Sequence, residues 1–234
     1  MSSKSKKSKP YSTPPVAPEI PCQIYLITPP VIDDMDAFLV TLEKALAAAP
    51  QDNPVGALQL RLKSLEDSDL IKAGSAMKAI AHRYNTLLFI NDRPDLAKDI
   101  GADGVHIGQQ DMDYFSSREL LGEDAIIGVT CHNSKDLGLQ AAESGADYVA
   151  FGAVFETKTK AAPTRCDLEI LTWWNRFIEI PCVAIGGINV DNAKTVIEAG
   201  VDFIAISSGV WDYKDGPYAA IKQLSALCLA AHSA

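Results

Sequence analysis

Apolar and polar positions along this chain fall into short runs of period two separated by longer stretches of period 3.6, the signatures of strand and helix. Residues 87–112 show the unit most clearly. Leu87, Leu88, Phe89 and Ile90 form an apolar run that stops at Asn91-Asp92. A helix is predicted over 94–100, closed by Gly101. A second strand over 104–107 then runs out into the loop Gly108-Gln109-Gln110-Asp111. The same alternation predicts strands at 23–28, 56–63, 125–130, 148–151, 181–185 and 203–206. It predicts helices at 33–49, 65–84, 134–144, 168–177, 190–199 and 218–231. One phrase recurs just before three strands: Gly101-Ala102-Asp103, Gly145-Ala146-Asp147 and Gly200-Val201-Asp202. In each, the glycine ends a helix in the left-handed conformation and the acid opens the next strand. Eight strands alternating with helices, built from a repeated βα unit, predict a single (β/α)8 TIM barrel over 21–234. An open doubly wound sheet is the rival, but no GxGxxG follows the first strand.

Composition adjusts this picture at the edges. Residues 1–20 are rich in Ser, Lys and Pro and are expected to form a disordered tail. The remainder of the 234-residue chain is aliphatic enough, at 47% hydrophobic overall, to fill a barrel core. A net charge of -9 argues against nucleic-acid or anionic-membrane partners, so an anionic substrate needs a local cationic pocket. Five scattered cysteines form no CxxC pair, which disfavours a disulfide framework or zinc site and suits a reducing cytoplasm. No apolar run approaches the ~18 residues of a membrane span, and no apolar stretch follows the N-terminal lysines as in a secretory signal.

In a barrel the chemistry belongs at the strand C-termini. Asp92 and Asp111 end adjacent strands, and two carboxylates on one rim suit a hard divalent cation such as Mg2+. They equally suit helix N-caps or turns, where Asp is common. Gln59, Arg61 and Lys63 alternate onto one face of the second strand, with Leu58, Leu60 and Leu62 on the other. Inward cations are costly unless an anion meets them, so this face is read as an anion site rather than as an ordinary amphipathic strand. Asn91, Thr130 and the loop Thr157-Lys158-Thr159-Lys160 add hydroxyls, an amide and lysines to the same rim; a merely solvated loop is the plainer reading of the last. Gly186-Gly187 and Ser207-Ser208-Gly209, after strands seven and eight, match the usual barrel phosphate position. Together these suggest a transferase joining a diphosphate donor to a phosphorylated acceptor. His106 is expected to pack or hydrogen-bond inside the barrel, and Cys131 lacks a base that would make it a nucleophile. Trp173 and Trp174 are expected to pack on an outer helix, or at a contact between subunits of a homo-oligomer, rather than to bind ligand.

The segments INDRPDLAKDIGADGVHIGQQDM, GAVFETKTK and AIGGI, with Gln-x-Arg-x-Lys at Gln59, Arg61 and Lys63, resemble the thiamine phosphate synthase family from Gln23 to Trp211. The resemblance implies a (β/α)8 enzyme that joins hydroxymethylpyrimidine diphosphate to thiazole phosphate, with Mg2+, through a pyrimidine-stabilised carbocation. It implies Asp92 and Asp111 as Mg2+ ligands. It implies Gln59, Arg61, Lys63, Asn91, Thr130 and Lys160 around the pyrimidine diphosphate, with Arg61, Lys160 and Thr130 acting on the leaving group. It implies Thr157, Thr159, Gly187, Ile206 and Ser207 around the thiazole phosphate. The chain departs from the family at Ala153 and Glu156, where proline is usual, at Thr130, where serine is usual, and at Thr28-Pro29-Pro30, where an acid is frequent. The alternatives are the related thiazole tautomerase, which usually lacks the full Asn-Asp, Asp and Lys set, and a non-catalytic paralogue.

Overall fold

A computed structural model describes residues 20–62, 65–157 and 165–232. The expected tail, apart from Ile20, lies outside the described residues, as do Lys63, Thr159 and Lys160. Eight parallel strands close into a barrel in sequence order: β1 (Gln23–Ile27), β2 (Ala57–Leu60), β3 (Leu87–Asn91), β4 (Gly104–Ile107), β5 (Ile126–His132), β6 (Tyr148–Gly152), β7 (Cys182–Ile185) and β8 (Phe203–Ile206). Between them lie α1 (Met35–Leu46), α2 (Asp67–Arg83), α3 (Pro94–Ile100), α4 (Tyr114–Leu121), α5 (Lys135–Ser144), α6 (Leu168–Phe177) and α7 (Ala193–Ile197), and α8 (Ser208–Trp211) and α9 (Pro217–His232) follow β8.

The strands carry two apolar faces. Leu26, Leu58, Leu60, Leu88, Ile90, Val105 and Ile127 point outward into a core shared with the helices, which is why the short parallel strands read as near-continuous apolar runs. Tyr25, Ile27, Ala57, Phe89, Tyr148, Ala150, Val183 and Ala205 fill the barrel interior. Space for this aromatic filling comes from small partners. A Cβ on Gly128 would lie 1.9 Å from the Tyr148 ring, so only glycine fits there. Trp174 is fully buried on α6, against Phe151, with its indole N–H donating to the Ile180 carbonyl at 2.7 Å. Trp173 is half-buried beneath Lys135.

The repeated Gly-x-Asp phrase has a definite structural meaning. Gly101, Gly145 and Gly200 all have positive φ (63°, 99° and 90°); the first two cap α3 and α5 as expected, whereas α7 ends at Ile197 and Gly200 lies in the turn beyond its Glu198 cap. The acid that follows does more than open a strand. Asp103, Asp147 and Asp202 each reach back one unit and accept a backbone N–H at the start of the preceding strand, from Leu88, Ile127 and Cys182, at 2.7 Å in every case. His82 and Arg118 brace the first two carboxylates at 2.8 and 2.7 Å.

Several boundaries differ from expectation. β2 ends at Leu60, because beyond it the Arg61 N–H turns to the Thr28 hydroxyl at 2.9 Å. β5 continues to His132 through an irregularity at 130/132, so Cys131 lies within the strand, buried against the helices. α4, capped by the Asp113 carboxylate on the Ser116 N–H at 3.1 Å, replaces what read as plain loop after Asp111. α7 is shorter than predicted because Asn189 and Asn192 hydrogen-bond locally and hold 189–192 as a turn. The short α8 is inserted before the last long helix. Among the described residues no helix is long and apolar enough to cross a membrane, and all five cysteines are buried free thiols.

Candidate active site at the barrel mouth

The C-terminal ends of the strands gather the described members of the predicted site on one rim. Pairing fixes the order: Leu60 stands beside Ile90, Asn91 beside His106 and Ile107 beside Val129. Arg61, Asp92 and Asp111 therefore follow three neighbouring strands at the same end. Arg61, Asn91 and Asp92 line one cleft of about 270 Å³, whose inner wall is Leu60, Leu62, Ile90 and helix residues of α2 and α3. That cleft sits beside the barrel mouth, between wall and helices, and its polar edge is the part that faces the rim. Arg93 also lines it, but two carboxylates hold that guanidinium: Asp67 at 2.9 and 3.0 Å, and Asp95 at 2.6 and 2.8 Å. Those acids raise its pKa above the ordinary arginine value, and a cation so neutralised is a poor anion receptor. Arg61 is the better candidate.

Neither Asp92 nor Asp111 caps a helix, since Arg93 and Asp113 occupy those positions. Asp111 does have a turn role: its carboxylate accepts the Gly108 N–H at 2.7 Å. Asp92 sits at φ 65°, with its N–H donating to the His106 carbonyl at 2.8 Å. A non-glycine residue in that region carries strain, which is commonest at functional sites. Among the described residues no three His, Cys, Asp or Glu side chains form a ready-made metal cage. The donor set still fits Mg2+, which is usually held by one or two carboxylates and completes its octahedron with water and substrate phosphate.

Below the rim the barrel is polar along one line. Gln59 is buried and its Nε2 donates to the Tyr25 hydroxyl at 3.3 Å. Tyr25 and Tyr148 hydroxyls lie 2.9 Å apart. Tyr148 meets His106 Nδ1 at 3.0 Å, and His106 Nε2 meets the Thr130 hydroxyl at 2.8 Å. The expected inward placement of Gln59 and His106 is thus realised. Burial pushes both phenols well above their ordinary pKa, so they stay protonated. Burial also pushes the Cys131 thiol up to about 12, which keeps it from acting as a thiolate nucleophile.

The opposite side of the mouth is built from small residues. Gly186 and Gly187 follow β7 at φ 105° and 66°. The Phe155 N–H donates to the Gly186 carbonyl at 3.0 Å, and Asn192 Nδ2 to the Gly187 carbonyl at 2.9 Å. Ile206 ends β8 buried, and the Ser207 hydroxyl donates to the Thr28 carbonyl at 3.1 Å. Thr157 is half-buried at the start of the segment that leaves the described residues. Sequence reasoning missed Thr28, which joins the ends of β1, β2 and β8, and Gln109, whose amide donates to the Thr130 carbonyl at 2.6 Å. It also missed Tyr25 and Tyr148; polar-tipped aromatics at inward positions of buried strands were the available signal.

Comparison with known proteins identifies one family. A family model described as thiamine monophosphate synthase matches residues 24–210. The chain is 49% identical over 200 residues to the thiamine-phosphate synthase of Rhodospirillum centenum, covering 86% of this chain and 94% of that one. It is 47% identical over 209 residues to the thiamine-phosphate synthase of Hyphomonas neptunium, covering 88% and 93%. The structure of thiamine phosphate pyrophosphorylase from Pyrococcus furiosus superposes with a TM-score of 0.77 at 31% identity, over 89% of this chain and 96% of that one. A 3-hexulose-6-phosphate synthase from Salmonella typhimurium, at 18% identity and a TM-score of 0.64 over 89% of this chain and 100% of that one, shares the fold alone.

Proposed function

The chain belongs to the thiamine monophosphate synthase family, and from that premise we propose that it condenses 4-amino-2-methyl-5-(diphosphooxymethyl)pyrimidine with thiazole phosphate, yielding thiamine phosphate and pyrophosphate. The observation that carries the reading is the convergence of Arg61, Asn91 and Asp92 at one edge of the mouth, with Asp111 after the next strand.

The bond between the pyrimidine methylene and the bridging oxygen breaks first. Both electrons leave with pyrophosphate, and the pyrimidine π-system spreads the resulting positive charge. The thiazole nitrogen then supplies the pair for the new C–N bond. No protein nucleophile is needed, and the task is to stabilise charge on the leaving group while holding the acceptor close. Arg61, Lys63, Asn91 and Lys160 take the diphosphate oxygens, and the Thr130 hydroxyl hydrogen-bonds at the same end. Gln59 orients the pyrimidine from inside the barrel. The rings of Tyr25, Phe89 and Tyr148, with centroids 5.7–6.0 Å apart, form an apolar floor that keeps water from the cation. Asp92 and Asp111 would hold Mg2+, which when bound neutralises diphosphate charge. Thr157, Thr159, Gly187, Ile206 and Ser207 receive the thiazole phosphate. The buried free thiols suit the reducing cytoplasm, where we place the enzyme.

The test is direct. Purified protein mixed with both substrates and Mg2+ releases pyrophosphate and forms thiamine phosphate. Absence of both products overturns the reading.

A further inference from the structure

The chain of hydrogen bonds under the mouth runs unbroken from Gln59 through Tyr25, Tyr148 and His106 to Thr130. Its members come from β2, β1, β6, β4 and β5, so the packing of five strands fixes it. Proton counting gives it a direction. Gln59 Nε2 donates to the Tyr25 oxygen. Either phenol could donate across the 2.9 Å contact; with Gln59 Nε2 as donor, the buried Tyr25, which accepts from it, gives its one proton to the Tyr148 oxygen, its other partner in the chain. Tyr148 then has one proton to give, and its partner is His106 Nδ1. A ring nitrogen that accepts carries no proton, so the imidazole proton sits on Nε2, which faces the Thr130 oxygen. That oxygen is already accepting, and the Thr130 hydroxyl proton is directed to a further acceptor.

We propose that Tyr25, Tyr148 and His106 are positioning residues that hold His106 as its Nε2–H tautomer and so commit the Thr130 hydroxyl to donate into the mouth. The donor then faces the place where negative charge develops when the diphosphate departs. Gln59, committed to Tyr25 by one amide proton, retains its carbonyl and its second N–H for the pyrimidine. If the Gln59 amide is turned, every bond reverses: His106 carries its proton on Nδ1, and Thr130 must donate to His106. The two directions make opposite statements about Thr130, and one measurement separates them. The role of Thr130 toward the leaving group rests on the proposed reaction; the tautomer of His106 does not.

Long-range 1H–15N spectra of protein labelled in its four histidines read the tautomer directly, with the His106 signals assigned by their loss in His106→Gln. The Nε2–H form is expected in the native protein, and the Nδ1–H form overturns the proposal whether or not the protein makes thiamine phosphate. Tyr148→Phe deletes the donor to Nδ1 without changing the ring. It is expected to bring up the second tautomer and to lower kcat about tenfold, the loss of one hydrogen bond's stabilisation, with KM for the thiazole phosphate unchanged. Tyr25→Phe, one link further away, gives the same direction with a smaller drop. An unaltered tautomer and wild-type kcat in both variants overturn the proposal. Failure of pyrophosphate release in the native protein would instead overturn the proposed reaction and leave the tautomer assignment standing.

Discussion

The two rims of the barrel are built from the same kinds of side chain to opposite ends. At the N-terminal rim, three carboxylates reach back to three strand N–H groups at 2.7 Å, and an imidazole and a guanidinium from neighbouring helices brace two of them. The hydrogen-bonding capacity of these carboxylates is spent inside the protein. At the C-terminal rim, carboxylates, an amide and a guanidinium converge on a cleft, and the backbone bends into positive φ at Asp92 and His132. Such strain persists where surrounding structure enforces it, and it collects at functional sites. The difference teaches that in this barrel an aspartate's work is set by which end of a strand it stands at. Asp103, Asp147 and Asp202, before strands, hold the fold, whereas Asp92 and Asp111, after strands, stand at the rim proposed to meet the ligand.

Substitutions can break that division. The largest effect is expected at the C-terminal rim. Asp92→Asn keeps the tolerance for positive φ but removes the charge, and should cut pyrophosphate release by at least ~100-fold, the scale of losing a charge-stabilising group. Lys160→Ala should do the same. Thermal unfolding of either variant should stay within about 3 °C of the native protein, and near-native turnover in both would dissolve the contrast. Chelation of Mg2+ should likewise stop turnover, with recovery on adding the ion back.

The converse comes next. Asp147→Ala strands the Ile127 N–H and removes the anionic partner of Arg118, and should cost about 1–3 kcal/mol, read as a fall in Tm of several degrees. Turnover per folded molecule should not change. A large loss of activity at unchanged Tm would show that the N-terminal rim is not purely structural.

Smaller again is Glu156→Gln, which removes a negative charge from the loop that precedes Thr157. It should lower KM for a phosphorylated substrate by about two- to fivefold, as expected for a partly screened charge at a rim. An unchanged KM at low ionic strength would remove Glu156 from the substrate's electrostatic surroundings.

The smallest effect distinguishes among the three N-terminal carboxylates. Burial raises the Asp202 carboxyl above its ordinary value. The folded protein therefore holds that proton more tightly than the unfolded chain does. The stability this gives is complete below the unfolded pKa of about 4 and is lost as pH rises through the raised folded value. Asp202→Asn retains an acceptor for the Cys182 N–H without the charge. Its Tm relative to the native protein should climb as pH is raised from about 4 toward neutrality. A flat difference would refute the burial argument.

Much of this could be read from the residues alone. The recurring glycine and acid announced a repeated unit, and the apolar runs announced parallel strands buried on both faces. The alternation of Gln59 and Arg61 pointed one side of β2 inward, and Gln59 is there. Helix α4 was missed because its apolar residues are few and Phe115 is exposed, so its periodicity is weak. The interior hydrogen-bond chain was illegible for a different reason. Tyr25 and Tyr148 stand 123 positions apart, and Tyr148 fits only because residue 128 has no side chain. Such complementarity is written across strands, not along them. The expectations for Lys63, Thr159 and Lys160 fall outside the described residues and stand as proposals about the bound state.

The seam between β1 and β8 has a consequence for how the molecule is born. The Trp211 indole donates to the Ile27 carbonyl, and Ser207 and Arg61 both meet Thr28, so the first strand made is completed by nearly the last. While the ribosome is at work, β1 waits with one edge bare through six further strands, until β8 is made. The cylinder can be sealed only once β8 has been made, which makes the nascent chain's exposed β1 edge a point where chaperone engagement or edge-to-edge aggregation would begin.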